Sequence, residues 1–160
     1  MHHLVKKNRV MKSYLLRKFI VEKKIIMIES ANGIGNVMLI DDSKIDNFIN
    51  SKVLELSEKA DIIQVYDNPF LALEYLNNTD IFPNVIFVDI YMPLMNGFDF
   101  LDEFNKLPAN NKKEIKVILL SSAYDNLEIE KLRKYSWLSG YVVKPLTYET
   151  LNSLAQASLQ

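Results

Sequence analysis

Cysteine is missing from all 160 residues of this chain. Its absence excludes a disulfide scaffold, a thiol nucleophile and a cysteine-ligated metal site, and is compatible with a reducing cytoplasm. Long apolar runs are missing as well: no stretch approaches the ~20 residues of a membrane span. Near the start, Tyr14-Leu15-Leu16 and Phe19-Ile20-Val21 are separated by Arg17-Lys18, which leaves no uninterrupted core for a secretory signal. Histidine occurs only at His2 and His3, so the body of the chain has no imidazole for carrying a phosphoryl group. Internal repeats and low-complexity linkers are absent too.

What remains is ordinary globular material. A hydrophobic content of 49% with 24% charged residues argues against disorder, and the length suits one domain with a single substantial core. The net charge of −1 hides an asymmetry. Residues 1–36 carry eight Lys/Arg against two Asp/Glu, whereas residues 37–160 carry eleven against eighteen. The acidic body is a poor match for a nucleic-acid surface. The basic segment 1–36 has spacing that allows a short amphipathic helix, suited to a membrane surface or a partner. The plainer expectation is a dispensable extension, or a chain whose real start is Met27, because the compact pattern begins only near Val37.

From there short apolar runs alternate with amphipathic stretches. Strands are expected at Val37–Ile40, Ile62–Tyr66, Val85 to Asp89, Ile115–Leu120 and Gly140–Val143. Ser43 is placed to cap a helix through about Ser57, whose apolar positions Ile45, Phe48, Ile49, Val53, Leu54 and Leu56 mostly follow helical spacing. Asn68-Pro69 opens a second helix through about Leu76, with a cap and a proline at the first helical position. Further helices are expected from Phe98 to Leu107, from about Asp125 to Tyr135, and from about Tyr148. Five strand–helix units predict an α/β fold with a parallel sheet covered on both faces. Right-handed crossovers then bring every strand's carboxyl end to one rim.

That rim is where the informative residues fall. Asp41-Asp42 ends the first strand, Asp89 the third, Ser121 the fourth, and Lys144 the fifth. Taken singly each has an ordinary reading: an acidic pair favours a helix amino terminus, and an aspartate suits a turn. A strand-end hydroxyl or a solvated lysine before proline is equally commonplace. Together they supply three carboxylates, a hydroxyl and an amine at the edge where ligands collect in open α/β sheets. Magnesium takes oxygen ligands, a cation relieves the repulsion of clustered acids, and an aspartate can attack phosphorus. A lysine and a hydroxyl can hold the transferred phosphoryl oxygens. The set describes a magnesium-dependent phosphoryl-accepting site.

Four segments closely resemble the receiver domain of two-component response regulators. They are Val37-Met38-Leu39-Ile40-Asp41-Asp42-Ser43, Val88-Asp89-Ile90-Tyr91-Met92-Pro93-Leu94-Met95-Asn96-Gly97, Leu120-Ser121-Ser122 and Ser139-Gly140-Tyr141-Val142-Val143-Lys144-Pro145. The resemblance covers about residues 37–158 and is greatest to stand-alone receivers of the chemotaxis type. It implies a flavodoxin-like (βα)5 fold of strand order 2-1-3-4-5, in a domain spanning 37–160.

By the same resemblance Asp89 is the phosphoacceptor. Asp42, Asp89 and the backbone carbonyl of Tyr91 bind Mg2+ directly, and Asp41 acts through water. Ser121 bonds one phosphoryl oxygen, Lys144 pairs with another, and Tyr141 is the aromatic switch that turns inward as the serine moves. The Lys144-Pro145 bond is expected to be cis. Asn96 stands where an aspartate is frequent, a harmless change in a turn. Tyr91 and Ala123 occupy positions that tune hydrolysis and depart from the acid or amide of fast members, so the phosphorylated lifetime does not follow from the resemblance.

The implied function is a cytoplasmic switch. Asp89 takes a phosphoryl group from a sensor histidine kinase, a histidine phosphotransfer protein or a small donor such as acetyl phosphate. The face built by the helix before the fifth strand, that strand and the last helix then changes affinity for a downstream protein, with a phosphorylation-linked homodimer as one outcome. No turnover enzyme is implied, and no output domain fits beyond the last helix. Two other readings compete. One is a receiver-like interaction module that is never phosphorylated, against which the intact acids and lysine argue. The other is an aspartate-nucleophile phosphatase, which needs an Asp-x-Asp pair that Asp41-Asp42-Ser43 lacks and a cap domain for which there is no room.

Overall fold

A computed structural model of the protein describes residues 33–109, 112, 114–122 and 130–157. The expectations for the basic extension up to residue 32, for Ala123 and for the start of the helix near Asp125 lie outside these residues. The described elements run β1 (Gly35–Ile40), α1 (Lys44–Ser57), β2 (Ala60–Tyr66), α2 (Pro69–Asn78), β3 (Val85–Asp89), α3 (Gly97–Lys106), β4 (Lys116–Ser121), β5 (Gly140–Val143) and α4 (Tyr148–Ala157). Among the described residues no helix is long and apolar enough to cross a membrane.

All five strands are parallel, in the order β2-β1-β3-β4-β5, which is the topology the family resemblance implied. The order reverses at β1, whose neighbours are β2 on one side and β3 on the other. In open α/β sheets such a switch point leaves a crevice beyond the strand ends. Asp41-Asp42 and Asp89 both stand there.

Alternation along the strands divides the core into two layers. Met38, Ile40, Ile86, Val88, Val117 and Leu119 face one way and pack with Ala72 and Leu76 of α2 and Phe100, Leu101 and Phe104 of α3. Val37, Leu39, Val85, Phe87, Ile118 and Leu120 face the other way, toward Leu54 of α1 and Leu151 and Ala155 of α4. β3 is buried along its whole length, as a central strand covered on both faces must be. Each of its large side chains contributes about 1.5–3 kcal/mol by leaving water.

Several boundaries differ from the sequence reading. β1 begins at Gly35, which takes φ +74° and pairs with Ala60 across a register irregularity before Val37; Gly-Asn reads as a turn and conceals the early start. β2 starts at Ala60, α2 continues to Asn78, and β4 runs from Lys116 to Ser121. Before β5 the helical residues end at Leu132, with Arg133 and Lys134 in a turn.

The larger surprise is α1. Its buried residues are Asn47, Asn50, Leu54 and Ser57, while Ile45, Phe48 and Leu56 are exposed at 72%, 64% and 82%. The apolar spacing on this helix therefore marks mostly its outer face. Its inner face is polar apart from Leu54, and each of the three polar side chains makes a hydrogen bond through one of its atoms. Asn47 Nδ2 donates to the Asp41 carbonyl at 2.6 Å, Asn50 Oδ1 accepts from the Leu146 N–H at 3.1 Å, and Ser57 Oγ donates to the Leu54 carbonyl at 2.8 Å.

Gly97 opens α3 directly beneath the third strand's end. A Cβ there would lie 2.7 Å from the Asp89 carbonyl oxygen and 2.9 Å from Ile90 Cα, both backbone atoms. Gly97→Ala is accordingly expected to destabilise the fold by about 1–3 kcal/mol through overpacking, measured as a lower urea midpoint at unchanged m-value. A neutral result would show that the loop after β3 shifts freely.

Candidate functional site

The site grows out of the loops that follow β1, β3 and β5. Asp41 is 1% exposed and Asp89 is 4% exposed, whereas Asp42 is exposed. Backbone N–H groups orient the two buried carboxylates: Ser43 N–H donates to Asp41 Oδ1 at 2.9 Å, and Tyr91 N–H donates to Asp89 Oδ2 at 3.0 Å. The residue two positions after each acid thus fixes one of its oxygens, and the other oxygen is left for a cation.

Lys144 supplies that cation. Its Nζ lies 2.6 Å from Asp41 Oδ2 and 2.7 Å from Asp89 Oδ1. A third carboxylate, Asp46 Oδ2 in the first turn of α1, sits 3.0 Å from the same nitrogen. The loop carrying Lys144 is held by its own N–H, which donates to the Ser121 carbonyl at 2.8 Å, and the Lys144-Pro145 bond is cis.

Electrostatics follow from this crowding. Burial pushes the Asp41 carboxyl above the ordinary aspartate range, although Lys144 and the Ser43 N–H pull it down. Burial pulls on Lys144 in the deprotonating direction, but its bonds to Asp41, Asp89 and Asp46 outweigh this and hold it above the usual lysine value. The lysine is therefore charged throughout the physiological range. Oxygens of Asp41, Asp42 and Asp89 all lie within 4.8 Å of one another. That oxygen-only donor set is the type a hard divalent cation takes.

The other sequence-derived residues are placed around this centre. Ser121 is fully buried at the end of β4, one strand over from Asp89, where Ile90 N–H donates to the Leu120 carbonyl at 3.0 Å. Tyr141 is half-buried in β5, pairs with Leu119 and packs on the core layer beneath. The Tyr91 side chain is 59% exposed. Asp46, Asn47 and Asn50 escaped the sequence reading. An acid in a helix's first turn looks like a partner of the helix dipole, and only the inward polar spacing of Asn47 and Asn50 hinted at more.

The response regulator receiver domain family matches residues 37–156. This chain belongs to that family. A protein-glutamate methylesterase/protein-glutamine glutaminase of Burkholderia thailandensis is 37% identical over 86 residues, 54% of this chain and 22% of the relative. The sensor histidine kinase CheAY of Helicobacter pylori is 31% identical over 125 residues, 78% of this chain and 15% of the relative. The chain thus spans less than a quarter of these curated relatives. A two-component response regulator from Cytophaga hutchinsonii is 34% identical, with a TM-score of 0.73, over 79% of this chain and 98% of that one. A response regulator receiver protein from Dyadobacter fermentans is 26% identical, with a TM-score of 0.71, over 78% and 98% of the two chains. Residues 37–156 are a receiver domain of two-component signalling.

The receiver's lysine has a stability signature. Lys144→Met leaves Asp41 and Asp89 buried without their cation, which is expected to cost about 3–5 kcal/mol at pH 7. With the ammonium gone, burial raises the folded-state pKa of Asp41 further above its unfolded value. The folded state then binds the proton first, so the loss is largest above that raised pKa and shrinks as pH falls toward 4. Urea unfolding of parent and variant at pH 7 and pH 4 measures the gap. A gap constant with pH would assign the lysine a packing role alone.

Proposed function

We propose that this receiver is a phosphorylation-driven switch with Asp89 as its phosphoacceptor, in a domain spanning 37–160 preceded by a basic extension, and acting in the cytoplasm. The observation that carries this reading is the Asp89 carboxylate itself. One oxygen is held by the Tyr91 N–H and the other lies 2.7 Å from the Lys144 ammonium, beside two more acids at the sheet's switch point.

The reaction asks little covalent chemistry of the protein. An Asp89 oxygen attacks the phosphorus of a phosphohistidine on a sensor kinase or a phosphotransfer protein. The new P–O bond forms as the P–N bond breaks, and its electron pair leaves with the imidazole, which takes up a proton. With acetyl phosphate the leaving group is acetate. Asp42, Asp89 and the Tyr91 carbonyl would hold Mg2+ directly, with Asp41 acting through water. The ion's chemistry is to offset charge on the phosphoryl oxygens. Lys144 exchanges its Asp89 contact for a phosphoryl oxygen, and the Ser121 hydroxyl takes another.

The new charge then biases Ser121 and Tyr141. Their movement alters the face formed by the segment before β5, β5 and α4, toward a downstream protein or a second copy of the chain. A change of about 1–3 kcal/mol between two conformations is enough for such a switch.

The test is the intact mass of the protein after incubation with acetyl phosphate, with and without Mg2+, for the parent and Asp89→Asn. A Mg2+-dependent gain of one phosphoryl group, lost in the variant, is the expected outcome. If the folded parent takes up no phosphoryl group from acetyl phosphate or from a phosphorylated kinase, the protein is a phosphorylation-independent interaction module instead.

A further inference from the structure

Lys144 has three N–H donors and meets three carboxylates, but those carboxylates are not equivalent. Asp41 and Asp89, with side chains 2% and 5% exposed, belong to the three-acid cluster; Asp46, at 37%, does not. Asp46 nonetheless reaches the lysine across 98 residues of sequence, at 3.0 Å. Ser43 is built to hold both acids in place. Its N–H donates to Asp41 Oδ1 at 2.9 Å, and its hydroxyl oxygen caps α1 by accepting from Asp46 N–H at 3.2 Å.

This arrangement bears on a conflict within the site. A divalent cation among Asp41, Asp42 and Asp89 draws on the carboxylates that hold Lys144, and it repels the ammonium. A phosphoryl group on Asp89 needs that ammonium to stay. We propose that Asp46 is the positioning residue for Lys144, keeping the ammonium at the site when a divalent cation engages Asp41 and Asp89. The proposal rests on reading the acidic cluster as a magnesium-dependent phosphoacceptor site. Asp46 is suited to the task because it stands outside the cluster and so keeps its charge for the lysine.

The experiment uses the full 15N-labelled chain and follows two sets of NMR signals during a Mg2+ titration. One set is the backbone amides of Asp42, Asp89 and Tyr91. The other is the Lys144 ζ-ammonium, assigned by its disappearance in Lys144→Arg, whose hydrogen exchange reports how firmly it is held. The parent ammonium is expected to remain slowly exchanging with Mg2+ bound. In Asp46→Asn it should exchange about fivefold faster in Mg2+, the size of one partly exposed ion pair, with a smaller change in metal-free protein. Asp46→Glu should recover part of the protection. With acetyl phosphate, Asp46→Asn should lower the maximal phosphorylation rate while leaving the half-saturating donor concentration unchanged.

Equal ammonium exchange in parent and Asp46→Asn at saturating Mg2+, with the site amides shifting in both, would overturn the role of Asp46 and leave the phosphoacceptor reading intact. Site amides that ignore Mg2+ in the parent would overturn the magnesium reading and the role of Asp46 together.

Discussion

Asp41 and Asp89 are carboxylates shut away from water at adjacent strand ends, and two such anions repel each other unless a cation stands between them. The Lys144 ammonium is that cation in this structure. Much else in the upper half of the fold serves the meeting. The parallel sheet brings three strand ends to one rim, and the reversal of strand order at β1 opens the place where they converge. The N–H groups of Ser43 and Tyr91 fix the oxygens that the lysine does not use. Gly97 lets α3 begin hard against the backbone of Asp89 and Ile90. A receiver built this way concentrates several carboxylates around one ammonium.

Much of this was legible in the sequence because strand-end chemistry and parallel topology are coupled. Once Val85-Ile86-Phe87-Val88 is read as a buried strand, Asp89 has to lie on the carboxyl rim, and the same holds for Asp41-Asp42, Ser121 and Lys144. Asn68-Pro69 and Ser43 announced their helices through local capping chemistry, and both caps are present. The failures have local causes as well. Gly35-Asn36 resembles a turn, yet β1 begins there, with Gly35 paired to Ala60 across a register irregularity. Asp46 was hidden because its partner lies 98 residues away, and no local pattern marks a contact of that range.

Helix α1 shows where periodicity misleads. Its isoleucines and phenylalanine keep helical spacing, and a hydrophobic-face argument would turn them inward. Long-range hydrogen bonds decide otherwise. Asn47 is tied to the carbonyl of Asp41, and Asn50 receives the N–H of Leu146 beyond the cis bond. Each asparagine grips one of the two loops that carry opposite charges of the site. The helix is oriented by these polar ties and by Leu54 and Val53, and Ile45, Phe48, Ile49 and Leu56 are left outside. Burying an amide is unfavourable unless it is bonded, so the polar seam and the charged site above it stand or fall together.

The separation of these ties along the chain has a consequence for synthesis. Every acid of the site precedes Ser121, while Lys144 and the Leu146 N–H come only with the final strand and the turn after it. A nascent chain that has emerged through β4 holds the full complement of carboxylates with neither the ammonium that stands between Asp41 and Asp89 nor the amide that Asn50 awaits. A product that stops short of Lys144 therefore leaves Asp41 and Asp89 without the cation that separates them.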